Sequence, residues 1–192
     1  MNRGTATELT LIRHAPALTG GRLCGRTDVD ADLSDPKAVR VARALAGEPV
    51  RLVASAALRC RQTATALWPT AQAILDPALW EQDFGDWEGR LLADLPELGP
   101  LSPEGLAQHR PPGGESFADL TWRVRGALSP IIAAGDTTIV AHAGTIRAAL
   151  SLALGQIPAG LVFEIAPLSV TRIACLPDGA GWIVRSVNGR AA

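Results

Sequence analysis

The sequence has 192 residues, is 47% hydrophobic and 19% charged, and carries a formal net charge of −1. These values predict a single globular domain over residues 1–192 and argue against both disorder and a nucleic-acid partner. The longest apolar runs fall well short of ~20 residues, so no membrane span is expected. Cys24, Cys60 and Cys175 are too few and too far apart for a disulfide framework. Because the N-terminus also lacks a signal-peptide pattern, a cytoplasmic location is expected.

In the first part of the chain, apolar runs and helical spacing alternate. We predict a strand over residues 8–12 and then a long Gly- and Asp-rich loop over 15–33. A helix should follow over 36–46, with Ser34 as its N-cap and Gly47 after its end. A second strand is expected within 49–54, a helix over 56–68 that ends before Pro69, and a short strand over 72–75.

In the second part, an acidic and aromatic loop over 80–89 precedes a segment with five prolines, 96–114, which we expect to be largely irregular and to act as a lid or rim. A long helix is predicted from Glu115 to about Ala134, then a strand over 138–141 and a helix over 145–154. A hairpin with strands over 169–176 and 181–187 completes the chain. This order predicts an α/β fold, a three-layer sandwich whose central, mostly parallel sheet is flanked by helices.

Two of the predicted strands end at a histidine. Leu9-Thr-Leu-Ile runs into Arg13 and His14, and Thr138-Ile-Val-Ala141 runs into His142. Ligands bind at the carboxyl ends of strands in open α/β sheets, so the two histidines are expected to share a site. Either histidine alone would be explained equally well as a packed or capping residue.

The residue types near these strand ends suit phosphoryl chemistry. The guanidiniums of Arg13 and Arg59 match a phosphoryl dianion, and like charge beside His14 would lower its pKa and keep the imidazole neutral as a nucleophile. Glu81 could protonate a leaving alkoxide. The set indicates transfer through a phosphohistidine, with no metal or other cofactor. Taken singly, Arg59 could be a solvated helix residue and Glu81 a surface carboxylate.

Other phosphate and metal chemistries fit the sequence poorly. The chain lacks a P-loop, and neither Cys24 nor Cys60 is followed six residues later by the arginine of a cysteine-phosphatase loop. The Asp28-Val-Asp30-Ala-Asp32 segment lacks the apolar strand that should precede an aspartate nucleophile. Leu33 also stands where a calcium loop needs glycine, and no histidine pair has zinc-ligand spacing.

Five segments together resemble the histidine phosphatase superfamily, in its phosphoglycerate-mutase-like branch. They occur in the family's order and span most of the chain, which supports one histidine phosphatase domain over 1–192. The segments resemble, in order, LxRHG at 11–15, SPLxRAxQTA at 55–64, ExxFGxWEG at 81–89, PGGES at 112–116 and the second-histidine strand at 140–147.

The resemblance implies a role for each matching residue. His14 would be the phosphorylated nucleophile, Glu81 the acid and then the base, and His142 a group that stabilises the transition state. Arg13 and Arg59 would hold the phosphoryl oxygens. The sequence departs from the family at Ala15, Ala17, Gly20 and Ala143, so Arg26 or Thr27 is expected to replace lost contacts in the first loop, and Ala143 is included among the phosphate-binding positions.

The resulting hypothesis is a metal-independent phosphomonoesterase that acts on a small phosphorylated metabolite. The compact length favours hydrolysis over mutase activity, and the Gly25-Arg-Thr-Asp28 loop most resembles α-ribazole-phosphate phosphatases of cobalamin assembly. Three alternatives stay open: a phosphoglycerate-type mutase, an inactive protein that binds phosphorylated ligands, and a protein phosphohistidine phosphatase. The assignment allows a homodimer.

Overall fold

Six β-strands and five α-helices form the part of the chain described in a computed structural model, residues 5–190 without the side chain of Asp178. The strands are β1 (Thr7–Arg13), β2 (Leu52–Ser55), β3 (Ile74–Asp76), β4 (Thr137–Ala141), β5 (Val170–Cys175) and β6 (Trp182–Gly189). The helices are α1 (Pro36–Ala46), α2 (Leu58–Leu67), α3 (Pro103–Gln108), α4 (Phe117–Ala133) and α5 (Ala143–Leu154).

The strands form one sheet in the order β3-β2-β4-β1-β5-β6. The pairings β3–β2, β2–β4 and β4–β1 are parallel, whereas β5 runs antiparallel to β1 and β6 runs antiparallel to β5. The register aligns Arg13 of β1 with Ala141 of β4. The residues that follow these two strands, His14 and His142, therefore leave the sheet side by side.

Helices cover both faces of the sheet, because successive strand side chains point to opposite faces. Leu11 and Ile139 pack with the buried side chains of α4 and α5. Ile12 and Val140 pack on the other face with those of α1 and α2. This confirms the three-layer prediction. The core positions predicted for α4 are also buried: Phe117, Leu120, Val124, Leu128 and Ile131.

One local prediction was wrong, and another holds for most of its segment but not for all of it. The N-cap of α1 is Asp35 rather than Ser34, because the Asp35 carboxylate accepts hydrogen bonds from the N–H groups of Lys37 and Ala38, at 3.0 Å each. The proline-rich segment is not irregular throughout, since Ser102 caps α3 by accepting from Gly105 N–H at 3.0 Å. Proline in the first turn is compatible with a helix and did not prevent this one.

None of the helices found within residues 5–190 combines the length and the hydrophobicity needed to cross a bilayer.

Candidate active site

The two histidines meet at the carboxyl edge of the sheet. His14 is 5% exposed and His142 is fully buried, and their rings lie edge to face with centroids 5.1 Å apart. A hydrogen bond from His14 N–H to Ala141 O, at 2.9 Å, continues the pairing of β1 with β4 past the end of β1. The sequence prediction that the two strand ends share one site is therefore matched by the geometry.

The hydrogen bond of the His14 ring defines its tautomer. Nδ1 lies 2.6 Å from Ala15 O, and a carbonyl oxygen only accepts, so Nδ1 carries the proton and Nε2 keeps its lone pair. Burial lowers the pKa of His14 to about 3. The charges of Arg59 and Arg13 also lower this pKa, whereas the hydrogen bond to Ala15 raises it. The imidazole is thus neutral near pH 7, as a nucleophile must be.

His142 is held from three sides. Its Nε2 lies 2.9 Å from Ser55 Oγ and 3.5 Å from Cys60 Sγ, and the ring of Trp80 stacks on the imidazole with centroids 6.3 Å apart. Burial lowers the pKa of His142 well below its usual value, helped by the neighbouring His14 and Arg59. A second neutral imidazole therefore faces the first.

Arg13 and Arg59 bring two guanidiniums to the same place, each fixed by backbone carbonyls. Arg13 Nη1 donates to Ile165 O at 2.6 Å, while its buried Nε has no hydrogen-bond partner among the described residues. Burial lowers the pKa of Arg13, and the opposite charge of Glu81 counteracts this effect. Arg59 is only 1% exposed. This burial overturns the interpretation of Arg59 as a solvated helix residue.

The carboxylate of Glu81 contacts the start of α5. Its Oε2 accepts from Gly144 N–H at 3.1 Å and its Oε1 from Gln82 N–H at 2.9 Å. The side chain of Arg123 donates to Glu81 O at 3.1 Å and to Trp80 O at 3.0 Å. These contacts fix both the carboxylate and the backbone that carries it, so Glu81 is not a free surface residue.

The three remaining predicted phosphate-binding residues occupy different positions. The Arg26 guanidinium lies over the Trp80 ring, with Cζ 5.8 Å from its centroid, and its Nε is 3.9 Å from Asp83 Oδ2. Thr27 donates through both its N–H and its hydroxyl to Glu88, at 3.0 and 2.7 Å. Ala143 is the first residue of α5. Phosphate binding by these three residues stays a prediction.

Sequence reasoning gave no role to several residues that build the site. The Thr63 hydroxyl accepts from Ala15 N–H at 3.0 Å and donates to Arg59 O at 2.7 Å, so it ties α2 to the loop after His14. Glu115 pairs with Arg123 at 2.7 Å. Thr63 and Glu115 lie inside segments that resemble the family, whereas Arg123 lies outside them. A sequence motif does not show which side chains meet in the fold.

The side chains that meet at the strand ends suit phosphoryl transfer. No group of three or more His, Cys, Asp and Glu residues within 5–190 is arranged to hold a metal ion. What the strand ends bring together is a neutral imidazole with a free lone pair, two guanidiniums that suit phosphoryl oxygens, and a carboxylate. The fold and the site together are those of an α/β protein suited to phosphoryl transfer.

The chain belongs to the histidine phosphatase superfamily (branch 1), whose family model matches residues 9–189.

Curated relatives are longer than this chain. A protein of Mycobacterium tuberculosis described as bifunctional is 34% identical over 203 residues, a match that covers 97% of this chain and 55% of the relative. An uncharacterised protein of Mycobacterium bovis matches to the same extent. The chain therefore spans about half the length of the curated relatives it matches.

Solved structures share the fold. A putative α-ribazole-5′-phosphate phosphatase of Escherichia coli superposes with a TM-score of 0.81 at 22% identity, covering 97% of this chain and 98% of that one. A mycobacterial glucosyl-3-phosphoglycerate phosphatase gives 0.83 at 22% identity, covering 96% and 99%. A protein of Thermus thermophilus gives 0.72 at 28% identity, covering 94% and 99%. These likenesses confirm the predicted α/β sandwich.

Proposed function

We propose that the protein is a metal-independent phosphomonoesterase that hydrolyses a small phosphorylated metabolite through a phosphohistidine on His14. The observation that carries this proposal is the hydrogen bond from His14 Nδ1 to Ala15 O at 2.6 Å. It directs the ring so that the unprotonated Nε2 is the nitrogen left to react. Burial beside Arg13 and Arg59 keeps that nitrogen from being protonated near neutral pH.

Two displacements at phosphorus complete the reaction. In the first, Nε2 of His14 bonds to phosphorus while the bond to the leaving oxygen breaks, and the carboxyl group of Glu81 gives that oxygen a proton. In the second, Glu81 takes a proton from a water molecule whose oxygen attacks phosphorus, and the bond to Nε2 breaks. Arg13 and Arg59 neutralise charge on the non-bridging oxygens in both steps.

For the substrate we favour α-ribazole 5′-phosphate. The support is the Gly25–Asp28 loop together with fold neighbours described as α-ribazole phosphatases. The glucosyl-3-phosphoglycerate phosphatase among the neighbours makes a phosphorylated glycerate the natural comparison substrate. Trp80 stacks on His142 and Arg26 lies over the Trp80 ring, so both side chains would meet the leaving group. We also propose a cytoplasmic location, since Cys24, Cys60 and Cys175 are all free thiols.

The test is phosphate release by the purified protein with a chelator present. The panel contains α-ribazole 5′-phosphate, glucosyl-3-phosphoglycerate, 3-phosphoglycerate and p-nitrophenyl phosphate, and His14→Asn is the control variant. We expect chelator-resistant hydrolysis with α-ribazole 5′-phosphate preferred, and no turnover by the variant. Activity retained in His14→Asn would refute the covalent route, and equal weak activity on every substrate would refute the α-ribazole assignment.

The same preparation separates the alternative functions. Isomerisation of 3-phosphoglycerate in the presence of a bisphosphate would show a mutase. Binding of a phosphorylated ligand with no turnover on the whole panel would show an inactive binding protein, and dephosphorylation of a phosphohistidine protein alone would show the protein phosphatase. Sedimentation of the same sample tests the predicted homodimer.

A further inference from the structure

Arg59 is buried without an ionic partner of its own. No carboxylate among the described residues forms a salt bridge with its guanidinium, although the side chain is almost completely enclosed. Its donors instead reach the carbonyls of one loop: Nη1 to Thr27 O at 3.1 Å, and Nη2 to Gly25 O at 2.7 Å and Cys24 O at 3.5 Å. Burying a charged group is costly unless its donors are satisfied. These carbonyls, together with the Trp80 ring whose centroid lies 5.7 Å from Arg59 Cζ, therefore hold the guanidinium in place.

The opposite side of the same loop holds a carboxylate. Glu88 accepts from the N–H groups of Gly25 (3.1 Å), Arg26 (2.8 Å) and Thr27 (3.0 Å) and from the Thr27 hydroxyl (2.7 Å). Phe84 N–H adds another hydrogen bond at 3.2 Å. Burial alone would raise the pKa of Glu88, but the hydrogen bonds from Arg26 and Thr27 outweigh it and lower the pKa below its usual value. The Glu88 carboxylate is therefore charged near neutral pH.

Two peptide groups connect the two charges. In the peptide between Gly25 and Arg26, the carbonyl accepts from Arg59 at 2.7 Å and the N–H donates to Glu88 at 2.8 Å. The peptide between Cys24 and Gly25 repeats the arrangement, at 3.5 and 3.1 Å. Each peptide dipole thus points its negative end at the guanidinium and its positive end at the carboxylate. Hydrogen bonds in such a chain polarise and strengthen one another.

Residue 25 must be small for this arrangement to exist. A Cβ at position 25 would overlap Gln82 O and lie 2.7 Å from Glu88 Oε1. Glycine lets the loop backbone approach the segment that carries Glu88. The two residues that make this hydrogen-bonded arrangement possible therefore come from separate segments: Gly25 from the first loop and Glu88 from the acidic and aromatic loop.

We infer that Glu88 is a positioning residue that orients Arg59 toward the phosphoryl group through the peptides on either side of Gly25. It does not touch the substrate. Neutralising Glu88 removes the field that aligns the loop carbonyls, which leaves Arg59 less well placed and less well compensated. This inference rests on the proposed function, in which Arg59 binds phosphoryl oxygens.

The test is a double-mutant cycle on the affinity for inorganic phosphate, measured by calorimetry on the parent protein, Arg59→Ala, Glu88→Gln and the double variant. Glu97→Gln, at an exposed site, is the matched control. We expect Glu88→Gln to weaken phosphate binding about tenfold, the scale of one hydrogen bond to a charged group. In the Arg59→Ala background the same change should have almost no further effect on phosphate affinity, because the guanidinium that Glu88 is proposed to orient is no longer present.

The results of this cycle separate the positioning role of Glu88 from the anion-binding role of Arg59. An equal loss from Glu88→Gln in both backgrounds, or no loss at all, overturns the positioning role. If Arg59→Ala itself leaves phosphate affinity unchanged, then Arg59 does not bind the anion, and its part in the proposed function fails together with this inference. Should Glu88→Gln not fold, Thr27→Val removes one donor to the carboxylate. Its effect must likewise vanish in the Arg59→Ala background.

Discussion

Gly144 and Glu81 are matched to one another at the start of α5. The N–H of Gly144 donates to Glu81 Oε2 at 3.1 Å, and a Cβ on residue 144 would overlap Glu81 Oε1 and crowd Leu120 Cδ2 at 2.9 Å. The carboxylate thus occupies the space that any other side chain at position 144 would need. This relationship ties the position of the proposed acid to a residue that performs no chemistry.

We therefore predict that Gly144→Ala displaces the Glu81 carboxylate while the fold is kept. Since Glu81 is the flexible partner, the helix stays in place and the acid moves. Turnover of an alkyl phosphate should fall ~100-fold, within the range for loss of a general acid. The matched control is Gly126→Ala in α4, where a Cβ meets nothing within 4 Å. Comparable rates for the two variants in a steady-state assay would contradict the prediction.

If Glu81 is the general acid, the loss in kcat/KM caused by Glu81→Gln should depend on the leaving group. An alkoxide leaves only if it receives a proton, whereas p-nitrophenolate leaves without one, so the loss in kcat/KM should be much larger for an alkyl phosphate. The measurement is kcat/KM for both substrates in both proteins. An equal loss on the two substrates would show that Glu81 acts in some way other than proton transfer.

The sequence predicted the layers, the strand ends and the five principal side chains of the candidate site, because these depend on local signals. Apolar runs that stop at Arg13-His14 and at His142 are visible in the chain itself. The support around them is not visible, because it depends on side chains far apart in sequence. The contact of Thr63 with Ala15 spans 48 positions, and that of Glu88 with Arg26 spans 62. The Ser34 cap failed because Asp35 offers an equally good acceptor one residue later.

The buried neutral histidine predicts a loss of stability in acid. The pKa of His14 is about 3 in the folded protein, against 6.5 for an ordinary histidine. The stability that His14 contributes is therefore complete above pH 6.5 and is lost as the pH falls from there toward 3. At about pH 5 the free energy of unfolding should be about 2 kcal/mol lower than at about pH 7.5 from this residue alone. His142 adds to the loss in the same direction.

Denaturant unfolding of the parent protein and of His14→Asn at the two pH values isolates this contribution. The parent should lose about 2 kcal/mol more than the variant, because asparagine takes up no proton. Carboxylates far from His14 titrate alike in both proteins and cancel in the comparison. Identical losses would show that His14 is not held neutral by burial.

The pair formed by Arg123 and Glu115 gives the last prediction. This pair is only 19% and 20% exposed, and Arg123 also donates to Ala78 O at 2.9 Å, Trp80 O at 3.0 Å and Glu81 O at 3.1 Å. Replacing Arg123→Met leaves Glu115 buried without its partner and frees the backbone that positions Glu81. We expect about 3 kcal/mol of lost stability together with a lower kcat.

The surface pair of Arg43 with Glu48 provides the control for that variant. Its members are 46% and 71% exposed although the distance is the same, 2.7 Å, so Arg43→Met should cost about 0.5 kcal/mol and leave kcat unchanged. Denaturant unfolding and steady-state kinetics measure both variants. If Arg123→Met lost stability but kept kcat, Arg123 would support the fold without positioning Glu81.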